Sequence, residues 1–197
     1  MKKIANYLTI EICFVPLGAK QIRKTVIMNT VNIKTYTYGL ADIKTYLFAT
    51  LFVIGNLVLP QLCHSLHQGG MIWLPIYFFT LIAAYKYGLS VGLLTAVFSP
   101  LLNHCLFGMP AAGMLPIILT KSVLLAVAAS VVSKKTGVVS LLSLLIVILS
   151  YQFIGVLVEW AIVRDFYVAV QDFRIGIPGM LVQLFGGYGL LRLITRK

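Results

Sequence analysis

The sequence has few acidic residues and few charged residues of any kind. Asp and Glu together number 5 in 197 residues, against 16 Lys and Arg, and only 11% of the chain is charged. A soluble domain has about 25% charged and about 45–50% apolar residues. This chain is 60% hydrophobic, with a mean hydropathy of +0.97. The composition therefore predicts an all-α integral membrane protein with no room for a folded soluble domain.

Catalytic motifs are lacking as well. The chain contains no Walker-type GxxxxGK[ST], so any ATP hydrolysis must come from a partner. It has no GxS nucleophile with a deep histidine, no HExxH and no paired aspartates at membrane depth, which argues against an intramembrane protease or lipid-modifying hydrolase. We therefore expect no enzyme activity and no cofactor in this chain.

Cysteine and histidine are sparse, with three of each. The cysteines form no spaced framework, so no structural disulfide is expected. Potential metal ligands do collect near helix ends, and Cys63-His64 with His67 has ligand-like spacing; the full set is Cys63, His64, His67, His104 and Cys105. Since interfacial His and Cys are commoner than a metal site, we expect none.

The apolar stretches fit six membrane-spanning helices of about 20 residues. The predicted spans are Lys44–Leu62, Met71–Tyr85, Gly88–Phe107, Met114–Val132, Val138–Val163 and Ile177–Ile194. Residues 1–43 form a basic arm, in which Met28 is an alternative start, and residues 44–197 form the transmembrane domain. The +11 net charge favours topology control and lipid headgroup contact over nucleic acid.

The basic residues follow the positive-inside rule. With the N-terminus in the cytoplasm, the arm, the two charged turns and the C-terminal tail all lie inside, while the loops outside are neutral or free of Lys and Arg. The turns and tail carry Lys86, Lys134, Lys135, Arg192, Arg196 and Lys197. This distribution predicts both termini on the cytoplasmic side of a bacterial cytoplasmic membrane.

Small residues recur at four-residue spacing on two spans. Gly88, Gly92 and Ala96 lie on one face of span 3, and Thr45 and Ala49 on span 1. Such stripes allow another helix to approach the backbone closely. We expect these residues to mediate helix packing or coupling to a partner.

Polar residues that lipid would not tolerate mark a candidate site. Charged groups at membrane depth cost at least about 2.5–3.5 kcal/mol on insertion scales and usually face an interior. Lys121, Gln152, Glu159, Gln183 and Asn103 are all expected in the outer half of the bundle. They predict a pocket for a small polar solute. The open alternative is that Lys121 and Glu159 form a structural ion pair and the glutamines join helices.

Aromatic side chains supply flat walls for such a pocket. The candidates are Trp73, Tyr77 and Tyr151, although most aromatics in a membrane protein are ordinary wall or belt residues. A cationic Lys121 suits a carboxylate, phosphate or carbonyl, and Glu159 suits an amine or ring nitrogen. Together they favour a zwitterionic or heteroaromatic solute.

The run from residue 70 to 133 carries a family resemblance. Its features are LP near the start of span 2, the stretch YKYGLSVGLLTAVFSPL, and the GMP turn before span 4. In these features, in size and in span number, the chain resembles the S component of energy-coupling factor (ECF) vitamin transporters. In spans 5 and 6 only topology and polar placement match.

The resemblance implies a capture subunit that binds a vitamin or precursor from outside. It implies association with a transmembrane coupling subunit and two cytoplasmic ATPases, which use the ATP. By position, it places the substrate loop at Cys63–Gly70, including His67, and the pocket at Lys121, Gln152, Glu159 and Gln183. The docking motif AxxxA of span 1 is matched only by Thr45 and Ala49. The alternatives are a stand-alone carrier or a membrane scaffold; a carrier usually shows inverted repeats, which are not visible here.

Overall fold

The computed structural model describes residues 31–33, 35–36, 38–64 and 73–195. Its helices up to the last loop are α1 (Ile43–His64), a 3₁₀ turn (Pro75–Tyr77), α2 (Phe78–Tyr87), α3 (Leu89–Phe107), α4 (Leu115–Thr136), α5 (Leu141–Val163), α6 (Phe166–Ala169) and α7 (Gln171–Ile175). A final stretch, called here the terminal helix, consists of α8 (Ile177–Leu181), a π-helical segment (Val182–Gly186) and α9 (Gly187–Thr195).

Within the described part, five helices are long and apolar enough to cross a membrane: α1, α3, α4, α5 and the terminal helix. Large apolar side chains such as Leu47, Ile54 and Phe153 are exposed along them. Water would not favour so many exposed apolar groups, whereas lipid does. The chain is therefore a multi-pass membrane protein built of helices.

The segment expected as span 2 differs from the prediction. Its helix α2 has only 10 residues, and Leu81 to Tyr85 are fully buried. A helix surrounded by other helices does not need to match the thickness of the hydrocarbon layer by itself. Lys86, expected in the turn after span 2, lies in the last turn of α2 and is 5% exposed.

Four chain segments meet at one end of the bundle, called here the turn end. The two-residue strand β1 (Val31–Asn32) pairs antiparallel with β2 (Val138–Val139) in the α4–α5 turn. The Tyr36 amide donates to the Lys86 carbonyl at 3.0 Å, and the Lys86 ammonium donates to the carbonyl of Ile194 at 3.4 Å. The start of α1, the α2–α3 turn, the α4–α5 turn and the end of α9 therefore lie together; the opposite end is called the loop end.

The two strands add a contact to the predicted arm and correct the start of span 5. Strand β1, near the end of the arm predicted over residues 1–43, joins it to the bundle. Span 5 was expected to begin at Val138, but Val138–Val139 is strand β2 and α5 begins at Leu141. The Ser140 hydroxyl accepts the Ser143 amide and caps the start of α5.

Stacked aromatic rings fix the arm on α1 and α2. The rings of Phe48 and Tyr87 are 4.3 Å apart between centroids, and Tyr38 stacks on both at about 6 Å. Tyr36 stacks in turn on Tyr38 at 5.7 Å with a 3° interplanar angle. Because these rings come from three segments, they hold the turn end together by apolar contact.

Helices α2 and α3 touch at a glycine. A Cβ added at Gly92 would lie 2.5 Å from Ala84 Cβ, so only glycine allows this approach. Ala96, one turn further along α3, is fully buried. Gly88 has a different role: it caps α3 with φ 90°, a backbone conformation that favours glycine. Helix α3 continues through Pro100 to Phe107.

Candidate functional site

Lys121 of α4 and Glu159 of α5 form an ion pair inside the bundle. The Lys121 ammonium lies 2.5 Å from Glu159 Oε2, and the two side chains are 1% and 5% exposed. An isolated charge at this depth would be unstable, and each charge here has an opposite partner. The sequence left open whether these two side chains line a solute pocket or form an ion pair with each other. In the structure they contact each other.

Gly155 makes room for this pair. It lies four residues before Glu159, on the same face of α5. A Cβ at Gly155 would be 2.8 Å from Lys121 Cγ and 3.2 Å from Lys121 Cε. The aliphatic part of the lysine therefore crosses α5 over Gly155 to reach the carboxylate one turn further on.

Gln183 brings the terminal helix into the site. Its Oε1 accepts a hydrogen bond from the Tyr151 hydroxyl at 3.1 Å, which orients the amide. Its Nε2 is buried and has no acceptor among the described residues, and Gln183 is 1% exposed. The Tyr77 ring packs against Tyr151, with centroids 5.6 Å apart. A buried amide donor without an acceptor is uncommon and requires an explanation.

Gln152 lies beside this group on α5 and is also buried. Its Nε2 donates to the Met180 sulfur at 3.5 Å, and a thioether is only a weak acceptor. Met180 precedes Gln183 by three residues, about one helical turn. The seam between α5 and the terminal helix thus contains two amide groups with poorly matched donors.

The backbone near these side chains is irregular. Gln183 lies in the π-helical segment, a feature that is rare and frequent at functional sites. Leu74, directly before the 3₁₀ turn that carries Tyr77, has φ 46° and ψ 46°. A non-glycine residue in this left-handed conformation is unusual, and such residues concentrate at binding and catalytic sites.

Asn103 belongs to a different polar cluster, contrary to the prediction that it lines the pocket. Its Nδ2 donates to the carbonyls of Asn56 and Ser99 at 3.0 and 3.1 Å. Asn56 in turn donates to the hydroxyls of Thr80 and Ser99, both at 3.0 Å, and accepts the Phe79 amide at 3.2 Å. These bonds join α1, α2 and α3, so Asn103 stabilises helix packing.

Sequence reasoning missed Asn56, the centre of that cluster. The available signal was an Asn in the middle of a predicted span, because a polar amide in lipid needs a partner on another helix. Its Oδ1 accepts the amide of the second residue of α2, one of the donors that a helix leaves free at its start. Asn56 therefore fixes where α2 begins relative to α1.

The predicted coupling residues of α1 have separate environments. Thr45 is fully buried and donates to the Gly39 carbonyl at 2.6 Å. Ala49 lines a shallow apolar groove of about 240 Å³ between α1 and α3, together with residues that include Val53, Leu94 and Phe98. Thr45 is thus occupied by the arm, and Ala49 borders an open surface.

The remaining candidates are spread out. Trp73 is half-buried, whereas His67 and the side chains of Cys63 and His64 lie outside the described residues. His104 Nδ1 is 2.7 Å from the Pro110 carbonyl. In the described ranges, no three His, Cys, Asp or Glu residues are grouped so as to hold a metal ion.

No family model, curated protein or solved structure matches the chain. The function is therefore argued from the buried polar side chains and their place in the bundle.

Proposed function

We propose that this chain is the substrate-capture subunit of an ECF-type importer. It binds a vitamin or vitamin precursor at the outer face of a bacterial cytoplasmic membrane and passes it on through a transmembrane coupling subunit and two ATPases. The observation that supports this is the group of charged and amide side chains buried in a membrane bundle beside packed tyrosine rings. An ionisable residue inside membrane helices is by default a hypothesis for a functional site.

The proposal includes six crossings with both termini in the cytoplasm. The turn end holds the start of α1 and also the α2–α3 turn, which supports a return crossing that finishes with α2. The described chain also begins and finishes at this end. The turn end carries Lys86, Lys134, Lys135 and Arg192, which favours the cytoplasmic side.

This orientation gives the site access from outside. Glu159 lies four residues before the end of α5, and Lys121 lies six residues after the start of α4, both towards the loop end. At 1.5 Å per residue, these positions are roughly 6 and 9 Å from the helix ends. A solute entering between the loops of the outer face therefore reaches the pair within about two helical turns.

One observation favours a second candidate, a membrane scaffold without cargo. Lys121 and Glu159 satisfy each other in the bundle, so the pair does not need a ligand in order to be stable. A scaffold, however, gives no reason for the buried Gln183 donor that lacks an acceptor among the described residues. We therefore favour capture over scaffolding.

Native mass spectrometry with identification of bound small molecules separates the candidates. The protein is purified in detergent, and any compound found is tested for uptake in cells with and without the genes for an ATPase and coupling module. Capture predicts a bound vitamin-like compound whose uptake requires the module. Uptake by the chain alone would show a carrier instead. An empty protein that no vitamin in a panel stabilises thermally would show a scaffold.

A further inference from the structure

We propose that the cargo is recognised as a hydrogen-bond acceptor by the amides of Gln152 and Gln183, and not as a charge by Lys121 and Glu159. This inference rests on the proposed capture function and names the class of cargo. The cargo is an electrically neutral, planar ring compound with carbonyl oxygens or ring nitrogens that carry free lone pairs.

The first argument is the donor that the protein leaves without an acceptor. The Tyr151 hydroxyl occupies Gln183 Oε1 and so directs Nε2 away from it. That Nε2 is buried without an acceptor in the described part of the chain. Leaving such a group unsatisfied carries the desolvation penalty of a buried amide donor. A ligand that brings an acceptor to Nε2 removes this penalty, whereas a ligand that brings a donor does not.

The second argument is the weak acceptor at Gln152. Its Nε2 is directed at the Met180 sulfur, 3.5 Å away. Methionine is unbranched and flexible, so it fills irregular gaps and gives way easily. A carbonyl oxygen or ring nitrogen in the place of the sulfur would form a much stronger bond with the same amide. Met180 thus occupies the position that the second acceptor of the cargo takes.

The third argument is that the charges are already matched. The Lys121 ammonium and the Glu159 carboxylate are in direct contact at 2.5 Å. A charged or zwitterionic ligand that binds at these charges must first separate the pair, and a buried charge that loses its partner is strongly destabilising. A neutral ligand binds at the amides and leaves the pair in place. The sequence favoured a zwitterionic or heteroaromatic solute, and the matched charges now favour a neutral solute that accepts hydrogen bonds.

The fourth argument is the aromatic surface beside the amides. The rings of Tyr77 and Tyr151 lie 5.6 Å apart at 48°, and the Tyr151 hydroxyl is bonded to Gln183 itself. A planar ring packs well against such side chains through offset or edge contacts. Flat shape and acceptor atoms are thus selected at the same place.

The test measures the binding of small ring compounds to the full chain in nanodiscs by ligand-detected NMR. The neutral acceptor probes are nicotinamide and uracil; the charged probes are benzylamine and p-aminomethylbenzoate. We expect the neutral probes to bind and the charged probes to bind at least about tenfold more weakly, which corresponds to one hydrogen bond or more.

Variants assign the binding to the amides. Gln183→Leu removes the donor with little change in volume, and Gln152→Glu replaces a donor by an acceptor; each should weaken nicotinamide binding at least about tenfold. Gln61→Glu is the matched control, because Gln61 Nε2 is also buried without an acceptor in the part of the chain that the structure describes, but lies on α1. Circular dichroism and gel filtration verify that each variant is folded. Because the two site variants change different residues, one still tests the inference if the other does not fold.

Three results would overturn the inference: tighter binding of the zwitterion, binding unchanged in both site variants, or no binding of either neutral probe up to ~10 mM. Its failure is distinguishable from failure of the capture function. A cargo that needs the ATPase module for uptake, but whose binding is insensitive to Gln152 and Gln183, leaves capture intact and refutes this inference. Binding that depends on the two amides, together with uptake that does not require the ATPase module, refutes capture and leaves this inference intact.

Discussion

The buried ion pair allows a quantitative test of how the interior of this bundle is organised. Lys121→Met keeps most of the aliphatic chain that crosses Gly155 but removes the charge. Glu159→Gln keeps the shape of the carboxylate and removes its charge. Each single variant leaves the other residue buried, at about 1–5% exposure, without its ion-pair partner.

The expected loss follows from that burial. Breaking a buried pair by removing one partner destabilises a protein by about 3–5 kcal/mol, whereas replacing both partners is often neutral or stabilising by about 1–4 kcal/mol. For a chain of this size, 1 kcal/mol shifts Tm by about 2–4 °C. Each single variant should therefore lower Tm by about 6–20 °C, and the double variant should recover most of the loss.

The assay is thermal unfolding of detergent-purified protein followed by helical circular dichroism, for the wild type, both single variants and the double variant. Lys135→Met is the control, because Lys135 is exposed in the last turn of α4. An exposed pair contributes only about 0.2–1 kcal/mol in a double-mutant cycle. If the coupling energy falls in that range, the pair is solvated, and the buried ion pair described here is refuted.

Two further predictions concern helix packing, and both are measured by the same thermal unfolding. Gly92→Ala places a Cβ 2.5 Å from the Cβ of Ala84 and should destabilise the protein by about 1–3 kcal/mol. The control Gly189→Ala, whose Cβ meets nothing within 4 Å among the described residues, should be neutral or stabilising by up to about 1 kcal/mol. Equal effects of the two variants would contradict the close approach of α2 and α3. Asn56→Leu leaves the Phe79 amide without its acceptor and should cost about 1–3 kcal/mol; an unchanged Tm would show that the cluster does not join the helices.

The burial of the charged and amide candidates could be predicted because lipid leaves few options for such groups. Lys121, Gln152, Glu159 and Gln183 were selected by depth alone, and the structure brings them to the α4–α5 and α5–terminal helix seams. Their contacts with one another could not be predicted. Residue spacing shows which side chains share a face of one helix, but not which face of another helix they contact. Asn103 was misassigned for that reason.

The turn end and α2 were harder to predict. Strands of two residues, such as β1 and β2, contain too little sequence for a periodic signal, and they pair across more than 100 positions of the chain. The apolar run of residues 71–85 has the composition of a spanning helix, but α2 begins only at Phe78, after the turn opened by Pro75. Composition records apolar length and cannot show that a short helix is enclosed by protein.

The two polar clusters differ in a way that bears on function. In the cluster of α1, α2 and α3, the Asn56 side chain makes three hydrogen bonds of 3.0–3.2 Å with strong partners. At the seam between α5 and the terminal helix, the Gln183 donor has no acceptor in the described ranges, and the Gln152 donor is directed at a sulfur. Buried amides in folded proteins are as a rule hydrogen-bonded, as the Asn56 amide is here. Real proteins break such rules mainly at functional sites, so the unsatisfied seam, with its π-helical segment, is where a ligand is expected.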